Sequence, residues 1–164
     1  MARPVVLSDA SPLFALSLID QLDLLPLLLG TITITEVVRN EVLIGSAKPG
    51  EAAIAEAIKA GAIRVIADQW QQPRFPELDE GEASTLRAAT HLGARCLVLI
   101  DERVGRAIAR ELRIAYTGTV GVIVQAKKRG FILSARTLFQ QLLAQQFRVS
   151  VELIREALVQ AGEG

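Results

Sequence analysis

The stretch Pro4-Val5-Val6-Leu7-Ser8-Asp9-Ala10-Ser11-Pro12-Leu13 sets an apolar strand directly before a helix start. Val5, Val6 and Leu7 run without period-two alternation, the pattern of a strand covered on both faces. Ser11 then reads as an N-cap and Pro12 as the first helical residue, where a proline forfeits no hydrogen bond. The same grammar returns downstream. Cys96-Leu97-Val98-Leu99-Ile100 is a second fully apolar strand, followed by a helix over 102–112.

The rest of the chain continues the alternation. A short helix over 24–29 stops at Gly30, and Thr31-Ile32-Thr33-Ile34-Thr35 alternates as a half-buried strand does. Helices follow over 36–44 and 51–60, separated by a loop at 45–50 that holds Pro49 and two glycines. A strand over 63–66 leads to a segment, 68–77, whose Pro73 and Pro76 mark it as an exposed loop. A helix over 79–92 ends at Gly93, a short strand covers 114–116, and a helix over 119–129 ends at Gly130. Two last helices fall near 135–145 and 151–161. Strands alternating with helices predict an α/β fold, a parallel sheet with helices on both faces. With no repeat or linker in the 164 residues, one domain over 1–164 is expected.

Composition narrows the function. Lys+Arg and Asp+Glu both number 18, which excludes a globally basic nucleic-acid coat and an acidic tail, but not a local patch. One cysteine and one histidine exclude a disulfide framework, a Cys-rich zinc site and a histidine-built metal centre. The most apolar run, Leu24 to Leu29, is too short to span a membrane. MARPVVLSDA lacks a long apolar leader, so a cytoplasmic location is expected. No Walker A sequence or GxGxxG follows the first strand. His91 falls in the last turns of its helix, where a dipole or solvent contact accounts for it better than a catalytic triad. Cys96 reads as a small core residue.

The acids carry the chemistry. Ligands of open parallel sheets bind beyond the carboxyl ends of the strands, and two of the six aspartates, Asp9 and Asp101, stand there. Capping accounts poorly for Asp9, because Ser11 already takes that role; for Asp101, before a helix, it stays open. Glu41 follows Val37 by four and Val38 by three, so it shares the apolar stripe of its helix. Glu82 precedes Leu86 by four and starts the buried face of its own, although Asp79 and Glu82 also resemble a capping box. Inward carboxylates are costly to desolvate, and two about 4 Å apart repel by about 4 kcal/mol at an effective dielectric near 20. A divalent cation relieves both. Without histidine or cysteine partners, Mg²⁺ or Mn²⁺ suits such oxygen ligands better than zinc.

Arginine outnumbers lysine fourteen to four. Arg103, Arg106, Arg110 and Arg113 recur at helical spacing opposite Val104, Ile108 and Leu112, as a solvated face or as phosphate contacts beside Asp101.

Taken together, these motifs resemble the PIN-domain ribonucleases, a family that includes the VapC-type toxins, and among them an uncharacterised branch of small prokaryotic proteins. Val5-Val6-Leu7-Ser8-Asp9 looks like the family's first strand and first acid, with Ser11 as the neighbouring hydroxyl. Thr35-Glu36-Val37-Val38-Arg39-Asn40-Glu41 looks like the helix of the second acid, Gly81-Glu82-Ala83 like the start of the third, and Leu97-Val98-Leu99-Ile100-Asp101-Glu102 like the fourth. Gly118-Thr119-Val120-Gly121-Val122, Ala126-Lys127 and Phe147-Arg148-Val149-Ser150 look like that branch's C-terminal half. Two departures stand out: Asp101-Glu102 where many relatives pair aspartates, and Glu82 where many carry aspartate.

The resemblance implies a three-layer α/β/α sandwich and Mg²⁺- or Mn²⁺-dependent cleavage of RNA. Asp9 and Asp101 would be direct ligands, Glu41 and Glu82 ligands or orienters of metal-bound water, and Ser11, Arg103 and Arg106 substrate contacts. It also implies an antitoxin partner, if the protein is the toxin of such a pair. A homodimer is expected through Leu138, Leu142 and Leu143 with Val151, Ile154 and Leu158, two apolar faces that a domain of this size need not bury. Two other readings are a PIN-like module that binds nucleic acid or regulates without turnover, and a receiver-like phosphoacceptor at Asp9. The latter lacks an aspartate near mid-chain beyond a further strand.

Overall fold

A computed structural model describes residues 4–45, 48–93 and 95–164. Met1 to Arg3, and Ser46 and Ala47 of the expected 45–50 loop, lie outside the described residues. Five strands, β1 (Val5–Ser8), β2 (Ile32–Thr35), β3 (Ile63–Ile66), β4 (Cys96–Leu99) and β5 (Ala115–Thr117), form one sheet in the order β3-β2-β1-β4-β5. Every pairing is parallel. Helices α1 (Ala10–Leu18), α2 (Leu24–Leu29), α3 (Glu36–Val42), α4 (Glu51–Lys59), α5 (Glu80–Leu92), α6 (Arg103–Glu111), α7 (Thr119–Lys128), α8 (Ala135–Ala144) and α9 (Val151–Gln160) complete the described elements.

Alternate side chains of the central strands feed two separate cores, which makes three layers. Val6, Ile32, Ile34 and Leu99 pack with α1, α7 and the C-terminal helices; Leu7, Cys96, Val98 and Ile100 pack with Leu86 and Ala89 of α5 and Ala109 of α6. This is the α/β/α sandwich expected from the strand–helix alternation. β1 occupies the centre: the chain winds from it to β2 and β3 on one side, then returns to β4 and β5 on the other. The switch point therefore lies between the carboxyl ends of β1 and β4, the place where such sheets bind ligands. Ser8 is paired with Leu99 there, and the N–H of Asp9 donates to the carbonyl of Leu99 at 3.0 Å.

Several local expectations give way. α1 begins at Ala10 with Asp9 as its N-cap residue, two residues before the start marked by Ser11 and Pro12. Ser11 and Pro12 sit inside the first turn, where a proline still forfeits nothing. β2 is buried along its whole length, because it lies inside the sheet under helices on both faces.

The α6 stripe is also misread. Gly105 and Ala109 face the core, while Val104 and Leu112 are both 42% exposed. Large apolar side chains suggest one face, but two small residues, Gly105 and Ala109, allow the close approach: a Cβ on Gly105 would collide with the tip of Ile100. Nor is 68–77 a freely exposed loop, since Trp70 and Phe75 pack on the second core. Trp70 stacks on His91 with ring centroids 5.1 Å apart, and Nε2 of His91 lies 2.6 Å from the carbonyl oxygen of Gln72. The histidine thus fastens this segment to α5. At the C-terminus, Leu138, Leu142 and Leu158 are buried within the chain, leaving Leu143 and Val151 exposed.

Candidate active site

The carboxyl ends of β1 and β4 deliver Asp9 and Asp101 to the switch point. Asp9 is only 4% exposed, and as the N-cap residue of α1 it makes no capping bond with its side chain. Burial pushes its carboxyl up to about 7; the N–H of Ala10 opposes this, and the charges of Asp79, Glu41 and Asp101 add to it. Asp101 is bound from across the sheet. Its Oδ1 accepts the N–H of Thr119 and its Oδ2 the hydroxyl of Thr119, both at 2.7 Å. Asp101 therefore does not cap α6, the helix directly after it; its carboxylate instead holds Thr119, the first residue of α7. Burial raises the Asp101 carboxyl, and the Thr119 bonds, the Arg106 charge and the Ser11 hydroxyl draw it down.

A Cβ on Gly118 would come to 2.5 Å from Oδ1 of Asp101, so the glycine makes room for the carboxylate. Glu102 is the N-cap of α6, accepting from the N–H groups of Val104 at 2.9 Å and Gly105 at 2.7 Å. The neighbouring acids thus divide their work. Glu102 starts a helix, while the Asp101 oxygens, held by Thr119 and Ser11, still have lone-pair capacity to spare.

Glu41 and Glu82 arrive from the other side. α3 packs on α5, and the Glu41 carboxylate lies against the first turn of α5, where the N–H of Gly81 donates to it. A Cβ on Gly81 would be driven into that carboxylate. Burial raises the Glu41 carboxyl, as does the charge of Asp79, with the Gly81 bond opposing both. Glu82 is 8% exposed. Burial pushes it up to about 9, reinforced by a hydrogen bond with the Asp79 carboxyl and by the charges of Asp79, Asp9 and Glu102.

Asp79 is the acid that sequence reasoning passed over. It caps α5 through a 2.8 Å bond from the N–H of Glu82, and its charge also acts on Asp9, Glu41 and Glu82. The cap accounts for its place in the sequence, which hides the second consequence of standing three residues before Glu82.

Among the described residues, none of these acids has an ion-pair partner within 4 Å. Their donor chemistry, hard carboxylate oxygen, suits Mg²⁺ or Mn²⁺. Among the described residues, however, no three acidic, histidine or cysteine side chains converge closely enough to enclose one ion directly. Mg²⁺ commonly keeps several waters and takes only one or two carboxylates, so its binding does not require a three-carboxylate cage.

The arginines divide as well. Arg103 and Arg106 line a cleft with Asp101. Arg106 and Arg110 lie over the Tyr116 ring, at 5.4 and 5.9 Å from its centroid, and Arg110 also donates to the Tyr116 hydroxyl at 2.8 Å. Arg113 lies beyond the end of α6 with φ of 59°.

A family model described as a PIN domain matches residues 5–163. The chain belongs to the PIN-domain family. PIN domains are generally nucleases and usually use divalent metals, so a nuclease-type function is the coarse assignment. A PIN nuclease binds nucleic acid, and among the described residues no helix is long and apolar enough to cross a membrane. Comparison with curated proteins gives no match, and neither does comparison with solved structures.

Proposed function

We propose that this PIN domain is a metal-dependent endoribonuclease that hydrolyses RNA phosphodiester bonds at the β1–β4 switch point. The supporting observation is the assembly of Asp9, Glu41, Asp79, Glu82 and Asp101 at one end of the sheet with no cation paired to them among the described residues. Asp9 and Asp101 would hold Mg²⁺ or Mn²⁺ directly, and Glu41 and Glu82 would orient its water. Such a cation supplies positive charge against the phosphate and acidifies water.

The chain's own groups do the remainder. Thr119 fixes both oxygens of Asp101, so this carboxylate is held before a substrate arrives. Gly81 and the first turn of α5 hold Glu41. Arg103 and Arg106, beside Asp101, meet the negative charge that grows on the phosphate, and Ser11 donates to Asp101. In this reading the whole chain acts as one domain, and the protein is the toxin of a toxin–antitoxin pair, a role that the resemblance to VapC-type toxins supports. An antitoxin encoded directly upstream would test that role. Light scattering tests the proposed homodimer, which would use the residues still exposed on α8 and α9, Leu143 and Val151.

A second reading, a non-catalytic nucleic-acid-binding module, is favoured by the incomplete convergence of the acids. One assay separates the two: single-stranded RNA incubated with the protein in Mn²⁺ or in EDTA, beside Asp9→Asn and Asp101→Asn. Cleavage confined to the wild-type protein with Mn²⁺ supports the nuclease; binding without cleavage in every arm supports the module.

A further inference from the structure

Asp101, alone among the clustered acids, also lines a cleft of about 570 Å³, a size in the range of small-ligand sites. α6, the end of β5, α7, the length of α9 and the segment before it line this cleft together with Asp101. Three arginines, Arg103, Arg106 and Arg148, border it against two acids, Asp101 and Glu156. Its apolar wall comes from Val120, Val124, Phe147, Val149 and Leu153. Arginines lining a cleft that also has an apolar wall match a nucleotide, whose phosphate is anionic and whose base has a wide apolar face. Arg106, which lines the cleft with Asp101, already lies over the Tyr116 ring, so less freedom is lost when it takes a phosphate.

We infer that this cleft is a subsite for one unpaired nucleotide adjoining the scissile phosphate, with its phosphate held by Arg103, Arg106 and Arg148 and its base laid on the Phe147–Val149–Leu153 wall. The inference rests on the nuclease reading for the position of the scissile phosphate. It adds α9 to the substrate site: α9 and the segment that leads into it choose which nucleotide is accepted next to the cut. Glu156 and Gln160, on the same wall, offer polar groups to a base edge.

The test is binding in EDTA, which reads the subsite whether or not the acids turn over. A labelled single-stranded 12-mer RNA is titrated by fluorescence anisotropy against wild-type protein, Arg148→Gln, Leu153→Trp and Arg155→Gln. Arg155 is on α9 but does not line the cleft. Losing a base contact or a phosphate contact should weaken binding by about tenfold in Arg148→Gln and Leu153→Trp. Arg155→Gln should stay within about twofold. A series of 12-mers with one abasic position each should contain one position that weakens wild-type binding but not Leu153→Trp, because the base has already lost its seat. Should Leu153→Trp fail to fold, Val149→Trp, in the loop before α9, serves in its place.

Wild-type affinity in both cleft variants, as expected if the cleft instead takes a protein segment, overturns the subsite. So does an abasic series that acts equally on wild-type and filled cleft. Absence of Mn²⁺-dependent cleavage with the binding pattern intact would overturn the nuclease reading and leave the subsite standing.

Discussion

Replacing Asp9 by asparagine should stabilise the metal-free protein, and only above mildly acidic pH. The carboxyl is buried and its pKa rises from 3.8 to about 7 in the folded chain. Between those values the unfolded chain has released the proton while the folded chain retains it, so stability falls as pH rises through this window. At about 1.4 kcal/mol per pKa unit, the ceiling is about 4 kcal/mol above pH 7. Asparagine removes the charge but remains a buried polar group, so about half of that, 2 kcal/mol, is the expected gain. For a chain of this length the gain corresponds to about 4–8 °C in Tm. Calorimetric melting in EDTA should show wild type and Asp9→Asn close together at pH 4 and separated at pH 8, with the variant higher. Mn²⁺ should close or reverse the gap, because only wild type gains binding energy. A variant that melts lower than wild type at pH 8 in EDTA, or a gap independent of pH, would refute the reasoning.

Gly81→Ala should fold, with Tm unchanged or slightly raised by the better helix former, because the colliding group is the movable end of Glu41. Its Mn²⁺ affinity and cleavage should fall as far as those of Glu41→Gln, as calorimetry and RNA cleavage can check. Arg106→Gln should flatten the salt dependence of RNA binding by roughly 0.7 in slope, whereas Arg110→Gln, engaged with Tyr116, should leave the slope unchanged. His91→Ala should free the segment around Trp70, shifting its fluorescence to the red and opening 68–77 to proteolysis, with Mn²⁺ affinity unaltered.

Asp9 and Asp101 were legible because a parallel sheet gathers its strand ends, so an acid directly after an apolar run must lie near another such acid. Glu41 and Glu82 were legible from helical spacing, since a carboxylate on a core-facing stripe needs a reason to be there. Asp79 was hidden by its own sufficiency as a cap; the missed signal is its spacing of three before Glu82, which brings the two carboxyls together. The α6 face was misread because periodicity gives weight to large apolar residues, whereas Gly105 and Ala109 make the contact by being small. The assignment of Ser11 as a cap failed for a local reason: Asp9 already has the extended backbone of an N-cap, φ −74° and ψ 170°. Arg148 gave no sequence signal beyond the resemblance, because only the tertiary fold brings its segment to the cleft that Asp101 also lines.

The central claim is that the acids at the switch point bind a divalent cation. Titration of Mn²⁺ into the metal-free protein by isothermal calorimetry, near pH 8 where Asp9 is largely ionised, tests it most directly. The account predicts a saturable site, released protons that scale with buffer ionisation enthalpy, and loss of that site in both Asp9→Asn and Asp101→Asn. Undiminished binding in either variant, or no heat beyond dilution with the wild-type protein, would contradict it.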